Sequence, residues 1–340
     1  MEQNSRKPAV ALTLGDPAGI GAELIAKLLV RSEVVERARV VLVGDPWLWE
    51  EGQAIAGVEV PTRTVRGLDG LRSLPEDRPL FFPVESVRPG EVPRSTVSAA
   101  GGASVLKVLQ TCLDAASAGW IDAICFAPLN KQSMKMSGMK FADELHFFAD
   151  RLKVSSYLCE FNTLGNLWTS RITSHVPFKD IVLYLSKERI LNAVRLLHDA
   201  LLSAGFAHPR LAVAALNPHG GEGGAFGTEE IDIIAPAVKE ANAQGYPVAG
   251  PFPADTIFLK ARDGQYDGVV TMYHDQGQIA LKLLGFDRGV TIQGGLPIPI
   301  TTPAHGTAFD IAGQNTANVE ATMQAFLIAC RMGASAATKR

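Results

Sequence analysis

The chain has 340 residues, 47% of them hydrophobic and 20% charged, enough to bury one or two sizeable cores and to form two domains. Thirty-two basic against 35 acidic side chains leave a formal net charge of -3, which excludes a nucleic-acid binder built on bulk positive charge. Glycine (32) and proline (20) are dispersed among apolar runs, so low-complexity tracts are excluded as well.

In chain order, Ala9 to Leu14 reads as a buried strand, too short for the apolar stretch of a signal peptide. It opens into a glycine-rich turn and a helix over Gly21 to Leu29. Arg39 to Val43 is a second strand, ending at Gly44-Asp45-Pro46. A small-residue helix from Val97 to Ala118 leads to a strand over Ile121 to Phe126. Further on, helices over Lys187–Ser203 and Glu229–Ala243 alternate with strands at Leu211–Leu216 and Gly268–Met272. Strands separated by helices predict an α/β fold built from βαβ units on a mainly parallel sheet. No uncharged apolar stretch approaches the roughly 18 residues of a membrane span. Cys112, Cys125, Cys159 and Cys330 show neither a C-x-x-C pair nor zinc-ribbon spacing. Buried, reduced thiols in a soluble cytoplasmic protein are therefore expected, with no membrane or nucleic-acid partner.

The chemistry-bearing residues fall at strand ends. Gly15-Asp16-Pro17-Ala18-Gly19-Ile20-Gly21 lies at a strand–turn–helix junction, where backbone amides favour an anion. It matches neither a Walker A loop nor G-x-G-x-x-G, and a tight turn without ligand fits it equally well. Three of the seven histidines stand in loops after strand-like runs: Ser174-His175-Val176-Pro177, Asn217-Pro218-His219-Gly220 and Tyr273-His274-Asp275-Gln276. Neutral imidazoles suit borderline divalent metals, and three of them leave coordination positions open. Their separation in sequence defines no local metal motif, so structural histidines compete evenly with a metal site. A last small-residue segment runs from Thr302 through His305-Gly306-Thr307-Ala308 and Asp310 to Asn318.

Taken together, these motifs resemble the 4-hydroxythreonine-4-phosphate dehydrogenase family over essentially the whole chain. The matching pieces are Gly15 to Gly21, Ser174 to Pro177, Asn217-Pro218-His219, Pro253-Ala254-Asp255-Thr256, Tyr273 to Gly277 and Lys282. The His305 to Gly313 stretch is also similar to the adenosine-binding loop of isopropylmalate and isocitrate dehydrogenases. The resemblance implies a two-domain α/β subunit with a cleft between domains, NAD as cofactor, and a homodimer with a shared active site. It implies an NAD-side domain of residues 1–130 plus 280–340 and a central metal-site and dimerisation domain of residues 131–279. His175, His219 and His274 match the family's ligands to one divalent ion, zinc or else magnesium, manganese or cobalt. Lys282 matches a substrate-contacting lysine, and Asp255 and Asp275 are candidates to orient the histidines. His305, Gly306, Thr307, Ala308, Asp310 and Asn318 would bind NAD. No Lys or Arg lies between His305 and Asn318 to meet the 2′-phosphate of NADP, and Asp310 would repel it. The implied reaction oxidises a hydroxyl β to the carboxylate of a small hydroxy acid, which then loses carbon dioxide.

The substrate end departs from the family pattern. A Gly-His-Thr-Glu segment of the biosynthetic enzymes is replaced by Asp143-Glu144-Leu145-His146, and a substrate-contacting asparagine and arginine align with Thr291 and Ile300. Asp143, Glu144, Thr291 and Ile300 are therefore expected beside Lys282, in a pocket less cationic and more apolar than the family's. Lys131, Lys135 and Lys140 precede this segment and are available to restore positive charge. A paralogue follows, acting on a cis-dihydrodiol carboxylate of the terephthalate type or on a phosphorylated sugar acid instead of serving vitamin B6 synthesis. Two other classes remain open: a zinc hydrolase, for which no H-E-x-x-H is present, and a non-catalytic NAD or metabolite sensor.

Overall fold

A computed structural model describes residues 6–338. They divide into two compact units, one running to Ser155 and resuming at Leu296, the other Ser156–Gly295. The first contains β1 (Ala9–Thr13), β2 (Arg39–Gly44), β3 (Arg63–Thr64), β4 (Leu80–Pro83) and β5 (Ala123–Phe126). The second contains β6 (Cys159–Leu164), β7 (Leu167–Arg171), β8 (Leu211–Ala214), β9 (Val248–Phe252), β10 (Gly268–Thr271) and β11 (Val290–Gly294). The chain then returns to the first unit with β12 (Ile300–Pro303).

In the first unit the strands lie in the order β3-β4-β2-β1-β5-β12, every pair parallel. Every residue of β1, β2 and β5 is buried, which is why they read as mainly apolar runs, with buried Arg39 at the start of β2 paired to Glu76. Successive side chains face opposite ways. Ala9, Ala11, Val41, Val43, Ile124 and Phe126 share a core with Val105, Leu109 and Cys112 of the helix Ala99–Ser117. On the other face, Thr301 donates to the Ala325 carbonyl of the helix Glu320–Thr338 at 2.9 Å. Ser98 starts the first of these helices by accepting the Gly101 N–H at 3.0 Å.

The second unit has the order β11-β6-β7-β10-β8-β9. β11, β6 and β7 form an antiparallel ribbon, and β7, β10, β8 and β9 continue it in parallel. Gly165, at φ 58°, makes the two-residue turn between β6 and β7. These bounds differ from the expected 130/131 and 279/280 divisions. Met134, Phe147 and Phe148 pack into the first unit's core, and β11 pairs with β6 in the second. The four cysteines are buried and unpaired, and burial pushes the Cys112 and Cys125 thiols up to about 12. Among the described residues no helix is long and apolar enough to cross a membrane.

Candidate active site

The strand order of the first unit reverses at β1, flanked by β2 and β5, and such a switch point opens a crevice at the carboxyl ends of the strands. The glycine-rich turn leaves β1 there. Asp16 N–H donates to the Pro128 carbonyl at 3.0 Å, beyond the end of β5. Gly15, at φ 74°, passes so close that a Cβ would lie 2.6 Å from that oxygen. Asp16 is buried; burial raises its pKa, offset in part by the Ala18 N–H, which donates to Oδ1 at 2.9 Å.

Against this turn lies the 305–318 loop. Ile20 N–H donates to the Thr307 carbonyl at 3.2 Å, and a Cβ on Gly19 would come 3.0 Å from Thr307. The far end of the loop is clamped by the helix Gly21–Leu29: buried Glu23 accepts the Ala317 N–H at 2.9 Å, and Lys27 donates to the Asn315 and Ala317 carbonyls at 3.1 and 3.0 Å. His305 Nδ1 donates to the Gly306 carbonyl at 3.1 Å, so Nε2 is the acceptor nitrogen. Among the described residues, that buried Nε2 meets no hydrogen-bond partner. Burial holds the His305 pKa below the ordinary histidine value despite the opposing bond to Gly306. Thr307 is buried, Ala308 is left-handed at φ 44°, and Gly306 and Asp310 are exposed. Asn318 Oδ1 accepts the Glu320 N–H at 2.9 Å and so serves the start of the last helix. A cavity of about 510 Å³ opens beside Asp45, Trp47, Ser86 and Arg88. Trp47 and Phe309 pack on one apolar cluster with Val87, which makes this cavity a neighbour of the loop that no sequence motif announces.

In the second unit the three histidines follow neighbouring parallel strands: His175 after β7, His274 after β10 and His219 after β8. The His175 and His274 rings approach to 6.2 Å between centroids. His274 Nδ1 donates to Asp275 Oδ1 at 2.7 Å, the carboxylate bond that typically orients a ligating imidazole. Gln276 braces this helix start, accepting the Met272 N–H at 2.7 Å and donating to the Ala215 carbonyl at 2.8 Å. His219 sits in the left-handed loop Pro218–Gly224, with φ 55° at His219 itself and 45° at Glu222. Positive φ on residues other than glycine is strained and clusters at functional sites. The loop is held by Glu230, whose Oε1 accepts the Leu216 and Asn217 N–H groups at 2.7 and 2.8 Å. Burial alone would raise the Glu230 pKa, but these bonds outweigh it and hold the carboxyl below its usual range. Among the described residues no three His, Cys, Asp or Glu side chains gather as a metal site. Asp255 lies exposed in the first turn of the helix Ala254–Arg262, where a negative charge suits the helix dipole.

The substrate-end residues divide. Ile300 is a correction: its side chain is fully buried in the first unit's apolar core, because strand alternation turns it inward beside Ile124, and it presents nothing to a ligand. Asp143 caps the helix Glu144–Arg151, its Oδ1 accepting the His146 N–H at 3.0 Å and Nδ1 at 2.6 Å. Burial would raise its pKa, yet the His146 bonds and the nearby Lys131 hold it below the usual carboxylate range. Buried Glu144 is paired with Lys131 of the preceding helix at 3.3 Å, so its negative charge is compensated within the segment. Thr291 Oγ1 accepts from Asn162 Nδ2 at 3.0 Å across the β6–β11 pair. Lys282 lies on the helix His274–Gly285, at the i+8 position of an i, i+4, i+8 row with His274 and Gln278. Asn162 and Arg171, which touch Thr291's neighbourhood and the His175 loop, carry no sequence motif, since only the strand register brings them there.

A family model described as "Pyridoxal phosphate biosynthetic protein PdxA" matches residues 36–329. The chain is 56% identical over 328 residues to "Putative 4-hydroxythreonine-4-phosphate dehydrogenase 2" of Pseudomonas aeruginosa, covering 96% of this chain and 97% of the relative. It is 38% identical over 347 residues to "Putative D-threonate 4-phosphate dehydrogenase" of Bradyrhizobium diazoefficiens, covering 97% and 98%. The crystal structure of 4-hydroxythreonine-4-phosphate dehydrogenase from Klebsiella pneumoniae superposes with a TM-score of 0.84 at 34% identity, covering 97% of this chain and 99% of that one. With a shared fold and motifs along nearly its full length, the chain belongs to the PdxA family of dehydrogenases.

Proposed function

We propose that the protein is an NAD-dependent and divalent-metal-dependent oxidoreductase that oxidises a hydroxyl β to a carboxylate in a small phosphorylated hydroxy acid, after which carbon dioxide is lost. Relatives named for 4-hydroxythreonine 4-phosphate and D-threonate 4-phosphate support this substrate class. Lys131 is paired with Glu144, so the preference for a phosphorylated substrate rests on these relatives and not on a free ammonium.

The observation that carries the reading is the His175–His274 pair at 6.2 Å, with Asp275 on the Nδ1 of His274. Neutral imidazoles oriented by a carboxylate are the donor chemistry a divalent ion such as zinc requires. His175, His219 and His274 would hold it, with a second copy of the chain completing the set. Held there, a divalent ion would supply Lewis acidity for removal of the hydroxyl proton and positive charge to offset the charge left by decarboxylation. Lys282 supplies positive charge for the substrate carboxylate. Exposed Phe178 (76%), Leu183 (80%) and Leu283 (84%) give the second unit an apolar surface suited to that second copy.

The acceptor Nε2 of His305, buried and without a partner among the described residues, fits a donor on NAD such as the adenine amino group or a ribose hydroxyl. NAD supplies the hydride acceptor, and Asp310 together with a loop free of Lys and Arg disfavours NADP. Arg94 does lie against Gly313, but it is paired with Glu51. Nicotinamide reduction scored with phosphorylated and unphosphorylated hydroxy acids, before and after chelation, tests the whole reading. Turnover by metal-stripped enzyme, or turnover of dihydrodiol carboxylates alone, contradicts it.

A further inference from the structure

β6, β7 and β11 turn a polar face toward the helix His274–Gly285. Cross-strand pairing sets Thr291 opposite Asn162, and Asn162 opposite Thr169, so alternation puts Glu160, Asn162, Arg171 and Thr291 on one face. The helix backbone comes close to that face at Gly277, where a Cβ would touch Thr271 and Thr169. Arg171 is only 5% exposed and spends its fork on three partners. Nε donates to Ser174 Oγ at 2.7 Å, Nη1 to Asn162 Oδ1 at 2.5 Å, and Nη2 to the Glu160 carboxylate. Asn162 Oδ1 also accepts from Gln278 Nε2 at 2.5 Å, and Asn162 Nδ2 donates to Thr291.

A buried ion pair is a weak source of stability, since packed apolar side chains serve as well or better. What this one does is join separate elements. Ser174 immediately precedes His175, and Gln278 lies one turn beyond His274 on the same face of its helix.

We infer that Arg171 is a positioning residue that sets the placement of the His175 segment against the His274 helix, acting through Ser174 on one side and through Asn162 and Gln278 on the other. A lysine keeps the charge but cannot reproduce the planar fork that reaches Ser174 and Asn162 together.

This inference rests on the metal reading above, and one experiment separates the two. Full-length wild type, Arg171→Lys, Ser174→Ala and the remote control Arg210→Lys, whose exposed guanidinium pairs with Asp267, are stripped of metal and titrated with cobalt(II). The d–d absorption band reports both affinity and coordination geometry, and a merely structural residue would leave its shape unchanged. Wild type and Arg210→Lys should bind alike. Arg171→Lys should bind about 10–100-fold more weakly with a shifted band, and Ser174→Ala should show a smaller change in the same direction. Should Arg171→Lys fail to fold, Ser174→Ala, which removes one hydroxyl, decides the matter. Wild-type affinity and spectrum in the folded variants overturn the positioning role while leaving the metal reading intact. A wild type that takes up no cobalt overturns both.

Discussion

The 305–318 loop of the first unit is gripped largely through its backbone: Thr307, Asn315 and Ala317 are held at their carbonyls or amides by Ile20, Lys27 and Glu23. The histidines of the second unit are braced by side chains instead, with Asp275, Gln276 and the Arg171–Asn162 pair each bonding a specific partner. A loop fixed by its backbone keeps its shape through many substitutions. A cluster fixed by side chains depends on each of them. The first unit should therefore respond to mutation with graded losses of cofactor affinity, and the second with steep losses of turnover.

The largest effect should come from His175→Ala or His274→Ala. If they hold the proposed metal, their removal forfeits several kcal/mol of charge stabilisation, so kcat should fall about 1,000-fold or more while NAD affinity measured by fluorescence titration stays within about twofold. Comparable losses in NAD affinity and turnover would blur the contrast between the two units. Next in size, Leu183→Asp should place a charge on the exposed apolar surface, shift the oligomer toward monomer in analytical ultracentrifugation, and lower turnover in proportion to the dimer lost. A monomer of full activity would separate the site from any second copy.

His305→Ala should raise KM for NAD about fivefold and leave kcat little changed, since one hydrogen bond is worth about 1 kcal/mol. Because burial lowers the His305 pKa, Nε2 remains an acceptor to lower pH than an ordinary histidine would. Its protonation in acid should lower wild-type NAD affinity, and the alanine variant should lack that step in its pH profile. The smallest effect concerns stability. Glu230→Gln should cost about 1–2 kcal/mol at neutral pH by weakening the anchor of the His219 loop. Glu230 has a folded pKa below its unfolded value, so its contribution is present above the unfolded pKa and is lost as pH falls through the folded one. Urea midpoints of the two proteins should converge in acid.

How legible each unit is from sequence follows the same contrast. β1 and β2 are mainly apolar runs because neighbouring elements bury every residue, and the helix Lys187–Ser203 has the bounds its periodicity predicts. The β6–β7 hairpin is harder to see. Its strands alternate apolar residues with Glu160, Asn162, Thr169 and Arg171, and its one local cue is Gly165-Asn166 between two leucines. The histidines are recognisable as types in strand-end loops, whereas the approach of His175 to His274 depends on β7 and β10 being neighbours. Ile300 shows the limit of reading a position by alignment, since strand phase, which turns it into the core, is set by the parallel pairing with β5.

The most direct test is a steady-state assay of nicotinamide reduction by the full-length protein with D-threonate 4-phosphate, 4-hydroxythreonine 4-phosphate and their unphosphorylated counterparts, run with added zinc, after chelation and after zinc is restored. The expected result is turnover of a phosphorylated substrate with release of carbon dioxide, abolished by the chelator and recovered with the metal, and far weaker turnover without the phosphate. Activity indifferent to chelation, or confined to an unphosphorylated dihydrodiol carboxylate, would contradict the proposed function.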